Sequence, residues 1–237
     1  MQLFRLLQSQ GFGSRKACRE LVQAGGVRVN GALCTDPDKD FDAAGLDFDV
    51  AGTLWPYRAK AYLVLHKPAG YECSRQARDH PSVFSLLPAP LVNRGVQCVG
   101  RLDQDTTGLL LLSDDGGFIH HHTSPRRQVG KTYRVTCKHP VRDATMEALC
   151  TGVLLHGETT PLAVLHCVRQ AERVLELTIT EGKYHQVKRI VAAAGNRGEA
   201  LHRTAIGAYA LPHDLPVGGW QWLTADALEA LGGKSSE

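Results

Sequence analysis

A chain of 237 residues with 43% hydrophobic and 22% charged side chains has the make-up of an ordinary globular protein, long enough to bury a core without staples. No apolar run approaches the roughly 20 residues that cross a bilayer. The N-terminus lacks the ordered regions of a signal peptide, so a cytoplasmic chain is expected. Seven cysteines with no Cys-x-x-Cys pair argue against a disulfide framework and a thiolate zinc site. A net charge of +3 hides an uneven distribution. Arg5, Arg15, Lys16, Arg19 and Arg28 stand against Glu20 alone in residues 1–34, and six aspartates against Lys39 follow in residues 35–50. That acidic stretch lacks the Asp-x-Asp-x-Asp-Gly order of a calcium loop and reads as a solvated connector.

In chain order, residues 3–9 form a short amphipathic helix ended by Gly11-Phe12-Gly13. Ser14 is the N-cap of a second helix, residues 15–24, with Ala17, Cys18, Leu21 and Val22 on its apolar stripe. Val27-Arg28-Val29 is a short strand and Asn30-Gly31 a hairpin turn. Residues 55–60 look like a boundary, which gives two domains, 1–56 and 57–237.

Beyond it, strands are expected at residues 62–66, 96–99, 109–112, 132–137, 160–167 and 173–179, and helices at 142–150, 185–194 and 226–231. Many strands with few helices between them predict an α+β fold on a mixed, largely antiparallel sheet. Nucleotide-binding glycine patterns are absent. No apolar helical stripe is left over for a partner, so a monomer is expected, and residues 232–237 read as a frayed tail.

The chemistry concentrates in Gly100-Arg101-Leu102-Asp103, followed by a small polar turn and the four-leucine strand. A carboxylate on a tight loop fixed to a buried strand is a catalytic candidate. Far along the chain, Lys188 and Arg189 lie near the start of a predicted helix, and a cation beside Asp103 would keep it ionised and oriented. Either can fill that role. Tyr133 offers a ring for stacking a base. His120-His121-His122 is read as surface, because consecutive helical residues face different ways. Cys73 lacks a matched base, which argues against a thiol enzyme.

Residues 1–48, with Ser14-Arg15-Lys16 and Gly26-Val27-Arg28-Val29-Asn30-Gly31, resemble the S4 RNA-binding domain. Arg15, Lys16, Arg19 and Arg28 are then its RNA contacts, two of them at a helix N-terminus suited to phosphate. Residues 62–231 resemble the pseudouridine synthases, in the RsuA-type branch that carries an N-terminal S4 domain. The motifs are His66-Lys67-Pro68-Ala69-Gly70-Tyr71, Cys73-Ser74, Asp79-His80-Pro81, Gly100-Arg101-Leu102-Asp103, Asp105-Thr106-Thr107-Gly108, Lys131-Thr132-Tyr133, Glu181-Gly182-Lys183-Tyr184-His185-Gln186-Val187-Lys188-Arg189 and Leu201-His202-Arg203.

The resemblance implies that Asp103 is the catalytic aspartate, Tyr133 stacks on the uracil and Lys188 pairs with the aspartate. It implies that Leu201 lines the base pocket. Arg101 fills the space the flipped nucleotide leaves or holds the backbone beside it; Arg189 and Thr107 complete the substrate contacts. The implied reaction turns one uridine of ribosomal RNA into pseudouridine without cofactor or metal, with small-subunit (16S) RNA favoured and large-subunit (23S) RNA the alternative. Asp103 either attacks the nucleoside or removes a sugar proton. Two other classes remain: a non-catalytic RNA-binding ribosome-assembly factor, and a glycosidic hydrolase that would need a second carboxylate beside Asp103.

Overall fold

The computed structural model describes residues 1–232; of the expected tail, residues 233–237 lie outside them. The chain divides into two compact units. One comprises residues 1–61 and 87–97, the other residues 62–86 and 98 onward. The division follows Ala61 and returns residues 87–97 to the first unit, whereas the sequence reading drew one cut after residue 56.

In the first unit, α1 (Leu3–Ser9) buries Leu3, Phe4, Leu6 and Leu7. Helix α2 (Arg15–Gln23) starts at Ser14, whose hydroxyl accepts from the Ala17 N–H at 3.2 Å and removes one of the unpaired donors of the first turn. Its Cys18 and Val22 enter the same core. Strands β1 (Val27–Val29) and β2 (Ala32–Leu33) are joined by Asn30-Gly31 with φ of 50° and 80°, the left-handed pair that a two-residue hairpin requires. Strands β3 (Asp47–Val50) and β4 (Thr53–Pro56) complete an antiparallel sheet of order β2-β1-β3-β4. Part of the expected acidic connector is therefore a strand. Phe48 is buried in the core while Asp47 faces solvent, so the charges mask an alternating pattern. Helix α3 (Ala89–Asn93) belongs here too: Asn93 donates to the Gly11 carbonyl at 3.1 Å, and Arg94 to Gln10 Oε1 at 2.9 Å.

The second unit is built on a nine-stranded sheet. Its strands are β5 (Tyr62–Lys67), β6 (Gln97–Cys98), β7 (Thr107–Ser113), β8 (Lys131–Cys137), β9 (His166–Ala171), β10 (Val174–Ile179), β11 (Gly198–Ile206), β12 (Tyr209–Ala210) and β13 (Trp220–Trp222). The path runs β13-β5-β7-β11-β8-β10-β9, with β6 beside β7 and β12 beside β11. Along the path only β7 and β11 pair in parallel. Helices α4 (Gly116–Thr123), α5 (Asp143–Thr151), α6 (Gln186–Ala193) and α7 (Ala225–Ala230) accompany it. This is the expected α+β fold on a mixed, mostly antiparallel sheet.

Three local expectations are corrected. The strand expected at 160–167 instead spans His166–Ala171, because Pro161 lacks a donor and Leu162 only bridges Val153. Strand β11, the longest in the sheet, was not anticipated; Glu199, His202 and Arg203 interrupt its apolar alternation. The histidine run lies on α4, and His122 is buried rather than exposed.

Leu109, Leu110, Leu111 and Leu112 of β7 have no exposed surface, as a central strand covered on both faces demands. Leu109 and Leu111 pack with Val64, Phe118, Ile206 and Leu223. Gly108 lets β7 approach β11: its φ is 104°, and a Cβ there would lie 2.3 Å from the Arg203 carbonyl oxygen. Gly108→Ala is expected to lower the stability of the chain by about 2 kcal/mol or more. Gly116→Ala, where a Cβ meets nothing, should stay within about 0.5 kcal/mol. Urea unfolding midpoints of the two variants check this; equal midpoints would remove the steric argument.

Candidate active site

Asp103 lies in the loop between β6 and β7, and that loop is fixed from beneath by Lys67. The Lys67 ammonium has no exposed surface and donates to the carbonyls of Pro68 (3.0 Å), Gln104 (3.1 Å) and Thr106 (2.9 Å). Burial pushes it below the ordinary lysine range, against the pull of Cys73, Asp105 and Asp103. The Gly70 N–H also reaches the Gln104 carbonyl (2.9 Å), and the Thr106 N–H closes a turn on the Asp103 carbonyl (3.1 Å). A third tie is the Leu102 N–H, which donates to Cys73 Sγ at 3.4 Å. The result is a carboxylate whose backbone is held on both sides, the preorganisation a catalytic group needs.

Lys188, on the first turn of α6, lies between two carboxylates. Its Nζ is 2.8 Å from both oxygens of Asp105 and 3.5 Å from Asp103 Oδ2. Partial burial opposes the charge on Lys188, yet the Asp105 hydrogen bond and both carboxylates hold its pKa above the usual value. Asp105 is likewise held low by Lys188 in spite of partial burial. The lysine thus binds Asp105 first and reaches Asp103 only at longer range, a correction to the simple Lys188–Asp103 pair. Arg189 does not compete; its guanidinium donates to the His156 carbonyl at 2.7 Å.

The cleft has a volume of about 560 Å³ and is lined by Asp103, Arg101, Cys73, Lys131, Tyr133 and Arg203, among others. A recess of about 70 Å³ adjoins it, walled by Tyr133, Asp103, Leu201 and Val187. Asp103, Tyr133, Arg101 and Leu201 are therefore brought together, and Lys188 reaches Asp103 from α6. Thr107 is not among the lining residues. Its hydroxyl bonds His202 Nδ1 at 2.8 Å, in the seam between β7 and β11, so the expected substrate contact is corrected to a strand-pairing contact.

Four further residues belong to the site: Arg203, His185 and Lys131, to which the sequence reading gave no catalytic role, and His122, which it placed on the surface. Arg203 is buried, faces Tyr133 across the β11–β8 pairing, and donates to the Leu109 carbonyl (2.7 Å) and towards the Tyr133 hydroxyl (3.4 Å). A charge two residues from Leu201, on the same inward face of the strand, is the signal that could have found it. His185 has φ of 50° and places Nε2 at 3.5 Å from Asp103 Oδ2, with the exposed Tyr184 stacked on it at 3.8 Å. Burial, then the charge of Arg203, lowers Lys131 to about 8. Burial also lowers His122 to about 4, and neither of its ring nitrogens has a hydrogen-bond partner in the protein.

In the first unit, Arg15 and Lys16 are exposed at the start of α2. Arg19 is bound through both guanidinium nitrogens by Asp38, which it holds below the usual carboxylate range. The guanidinium groups of Arg5, Arg15 and Arg19 surround the Phe4 ring at 5.7, 5.1 and 4.8 Å. Arg28 donates to the Gly31 carbonyl at 3.2 Å. The basic face is real, but one of its cations is neutralised by the acidic stretch.

A family model described as RNA pseudouridylate synthase matches residues 61–193, more than half of the chain. The chain belongs to the RNA pseudouridylate synthase family. A second model, the S4 domain, matches residues 1–43 of this synthase. The chain is 41% identical over 240 residues to the ribosomal small subunit pseudouridine synthase A of Yersinia pestis, with 98% of each chain covered. The Escherichia coli (strain K12) protein of that name is 45% identical over 172 residues, covering 72% of this synthase and 73% of its relative. A crystal structure of a pseudouridylate synthase aligns with a TM-score of 0.69 at 32% identity, covering 98% of this chain and 99% of that one.

Replacing Lys67 by Met leaves the Pro68 and Thr106 carbonyls without their buried donor. The variant is expected to lose about 3 kcal/mol of stability and to give no more than about a tenth of the parent's activity under conditions where it remains folded. Denaturant titration and single-turnover kinetics measure the two effects. A stable, fully active variant would show that the loop is held by other contacts.

Proposed function

We propose that this synthase isomerises one uridine of small-subunit (16S) ribosomal RNA to pseudouridine, with Asp103 as the reacting carboxylate. The observation that carries the reading is the convergence of Asp103, Tyr133 and Leu201 on one recess beside the cleft, with Lys188 reaching Asp103 from α6. The small-subunit assignment rests on relatives whose names specify that subunit. An assembling small subunit as substrate implies action in the cytoplasm, and the enzyme is taken to work as a monomer.

The reaction moves the uracil ring from its C1′–N1 bond to a C1′–C5 bond. The proton lost from C5 is matched by one gained at N1, so no oxidant, reductant or net water is consumed. The target base must first leave its stack. The Tyr133 ring and the Leu201 side chain supply an apolar bed for it, and Arg203 holds the tyrosine hydroxyl from behind. Arg101, exposed at the rim, faces the RNA backbone or the vacated position in the stack. Asp103 then either attacks the nucleoside or takes a sugar proton to give a glycal. In both routes Lys188 steadies the carboxylate without fully pairing it, because Asp105 takes its closest contacts. Arg15 and Lys16 add sequence-independent contacts to phosphates.

The hydrolase alternative is disfavoured because the nearby carboxylates are engaged: Glu181, which also lines the cleft, lies 3.4 Å from Lys183 Nζ. Both oxygens of Asp105 are occupied by Lys188. The Glu72 carboxylate accepts the N–H groups of Arg78, Asp79 and His80, which hold its pKa low in spite of partial desolvation.

Asp103→Asn is expected to bind ribosomal RNA normally while product formation falls by at least about a thousandfold. Pseudouridine mapping of both ribosomal RNAs in cells lacking the gene, complemented by parent or variant, reads this out. Loss of one small-subunit site, restored only by the parent, is the expected result. A large-subunit site would move the substrate, and full restoration by Asp103→Asn would overturn the mechanism.

Lys131 gives a pH prediction. Its folded pKa of about 8 lies below the value of about 10.4 of an unfolded lysine. Between these values the folded chain binds fewer protons than the unfolded one, so this group's contribution to stability rises with pH through that window. RNA affinity should fall as the pH rises through the folded value, where the cleft loses a cation. RNA-binding titrations are expected to show an alkaline limb with an apparent pKa of about 8 that Lys131→Arg moves upward. An unchanged limb would assign it to another group.

A further inference from the structure

Tyr184 forms part of the cleft wall and takes no part in the isomerisation described above. It is 76% exposed. A single exposed tyrosine is ordinary; this one stands on a rigid support. Tyr184 and His185 are the middle residues of a turn between β10 and α6. The Gln186 N–H donates to the Lys183 carbonyl at 3.1 Å, and the Lys183 N–H donates to Gln186 Oε1 at 2.9 Å. Gln186 is buried, which anchors the turn. His185 adopts a left-handed backbone, with φ of 50°, that is uncommon outside glycine. Its ring is stacked on Tyr184 at 3.8 Å with 20° between the planes, and its Nε2 is 3.5 Å from Asp103 Oδ2. Among the described residues no other ring or cation lies over Tyr184, and its hydroxyl has no hydrogen-bond partner.

We propose that the outer face of the Tyr184 ring is a stacking site for the nucleobase next to the target uridine. Tyr184 lines the cleft but not the recess of Tyr133 and Leu201, so the base it meets is not the one that enters that recess. One ring, His185, separates Tyr184 from Asp103, so a base laid on Tyr184 belongs to a nucleotide close along the RNA to the one that Asp103 meets. When the target uridine leaves its stack, its neighbour loses a stacking partner.

Tyr184 offers that neighbour a replacement. Every base has a π-face, so the contact adds affinity without reading sequence. The cation of the turn is already engaged: Lys183 Nζ is held by Glu158 at 2.8 Å and by Glu181 at 3.4 Å. The group this turn presents to RNA is therefore a ring for a base rather than a charge for a phosphate. Because the turn holds the ring before RNA arrives, little conformational freedom is lost on stacking. The stacking site rests on the proposed action on ribosomal RNA.

The test uses the full chain and a ribosomal RNA fragment containing the uridine that pseudouridine mapping identifies. Tyr184→Ala is expected to raise KM by about 5-fold to 150-fold and to leave kcat within about twofold. Tyr184→Leu can still cover His185 but has no π-face, and should behave like Tyr184→Ala. Tyr184→Phe keeps the ring and should behave like the parent. Abasic substitution on one side of the target uridine, then on the other, completes a double-mutant cycle. At one of the two positions the missing base should weaken binding to the parent and leave binding to Tyr184→Ala unchanged. A parent-like KM for Tyr184→Leu, a fall in kcat at unchanged KM, or equal abasic losses for parent and variant at both positions would overturn the stacking site. Mapping that finds no uridine left unmodified in cells lacking the gene would instead overturn the proposed function, and the stacking site with it.

Discussion

A lysine ammonium with no exposed surface is the fixed point of this structure. Burying a charge costs several kcal/mol unless polar groups surround it. The Lys67 charge is met by three backbone carbonyls, two of which belong to the loop that carries Asp103. The dependence runs both ways. The loop needs the ammonium to stay folded on β7, and the ammonium would be stranded if the loop opened. Such mutual need makes the loop cooperative with the sheet, so Asp103 inherits the rigidity of β5 and β7 although it lies in neither.

On that footing the charges above the loop are divided rather than paired. A carboxylate held by a short, double-donor ion pair is well oriented but poorly available, since the pair must be broken before it reacts. Lys188 spends its short contacts on Asp105 and keeps Asp103 at 3.5 Å. His185 approaches Asp103 at the same distance from the loop that precedes α6. Asp103 therefore lies in a positive field without being consumed by it. Tyr133 is treated in a similar way: Arg203 reaches its hydroxyl from the buried side and leaves the ring on the cleft.

What could be read from the residues follows from where the information is local. Ser14 and Asn30-Gly31 act within a few residues, and the cap and the hairpin are where they were expected. The four leucines of β7 announce a strand covered on both faces because nothing else tolerates them. Arg203 and Lys67 are charges on strand positions that point inward, and a pattern of hydrophobic alternation misreads them as breaks; β11 was overlooked for that reason. Lys188 was recognised as a cation of the site, but its division between Asp105 and Asp103 depends on distances that chain order does not encode. His122 was misjudged because a run of histidines suggests solvent, while its packing against Phe118 at 4.3 Å is decided by α4 and the sheet beneath.

The route of the chain between its two units bears on how the protein is made. Residues 62–86 belong to the second unit and precede residues 87–97, which return to the first, where Arg94 and Asn93 tie down Gln10 and Gly11. On the ribosome the RNA-binding unit thus emerges first but stays incomplete until the segment around α3 has followed it. The cleft is later still, because β11 supplies Leu201 and Arg203 roughly a hundred residues after Asp103. Synthesis of this enzyme therefore has a built-in sequence, in which the capacity to hold RNA can mature well before the capacity to alter it.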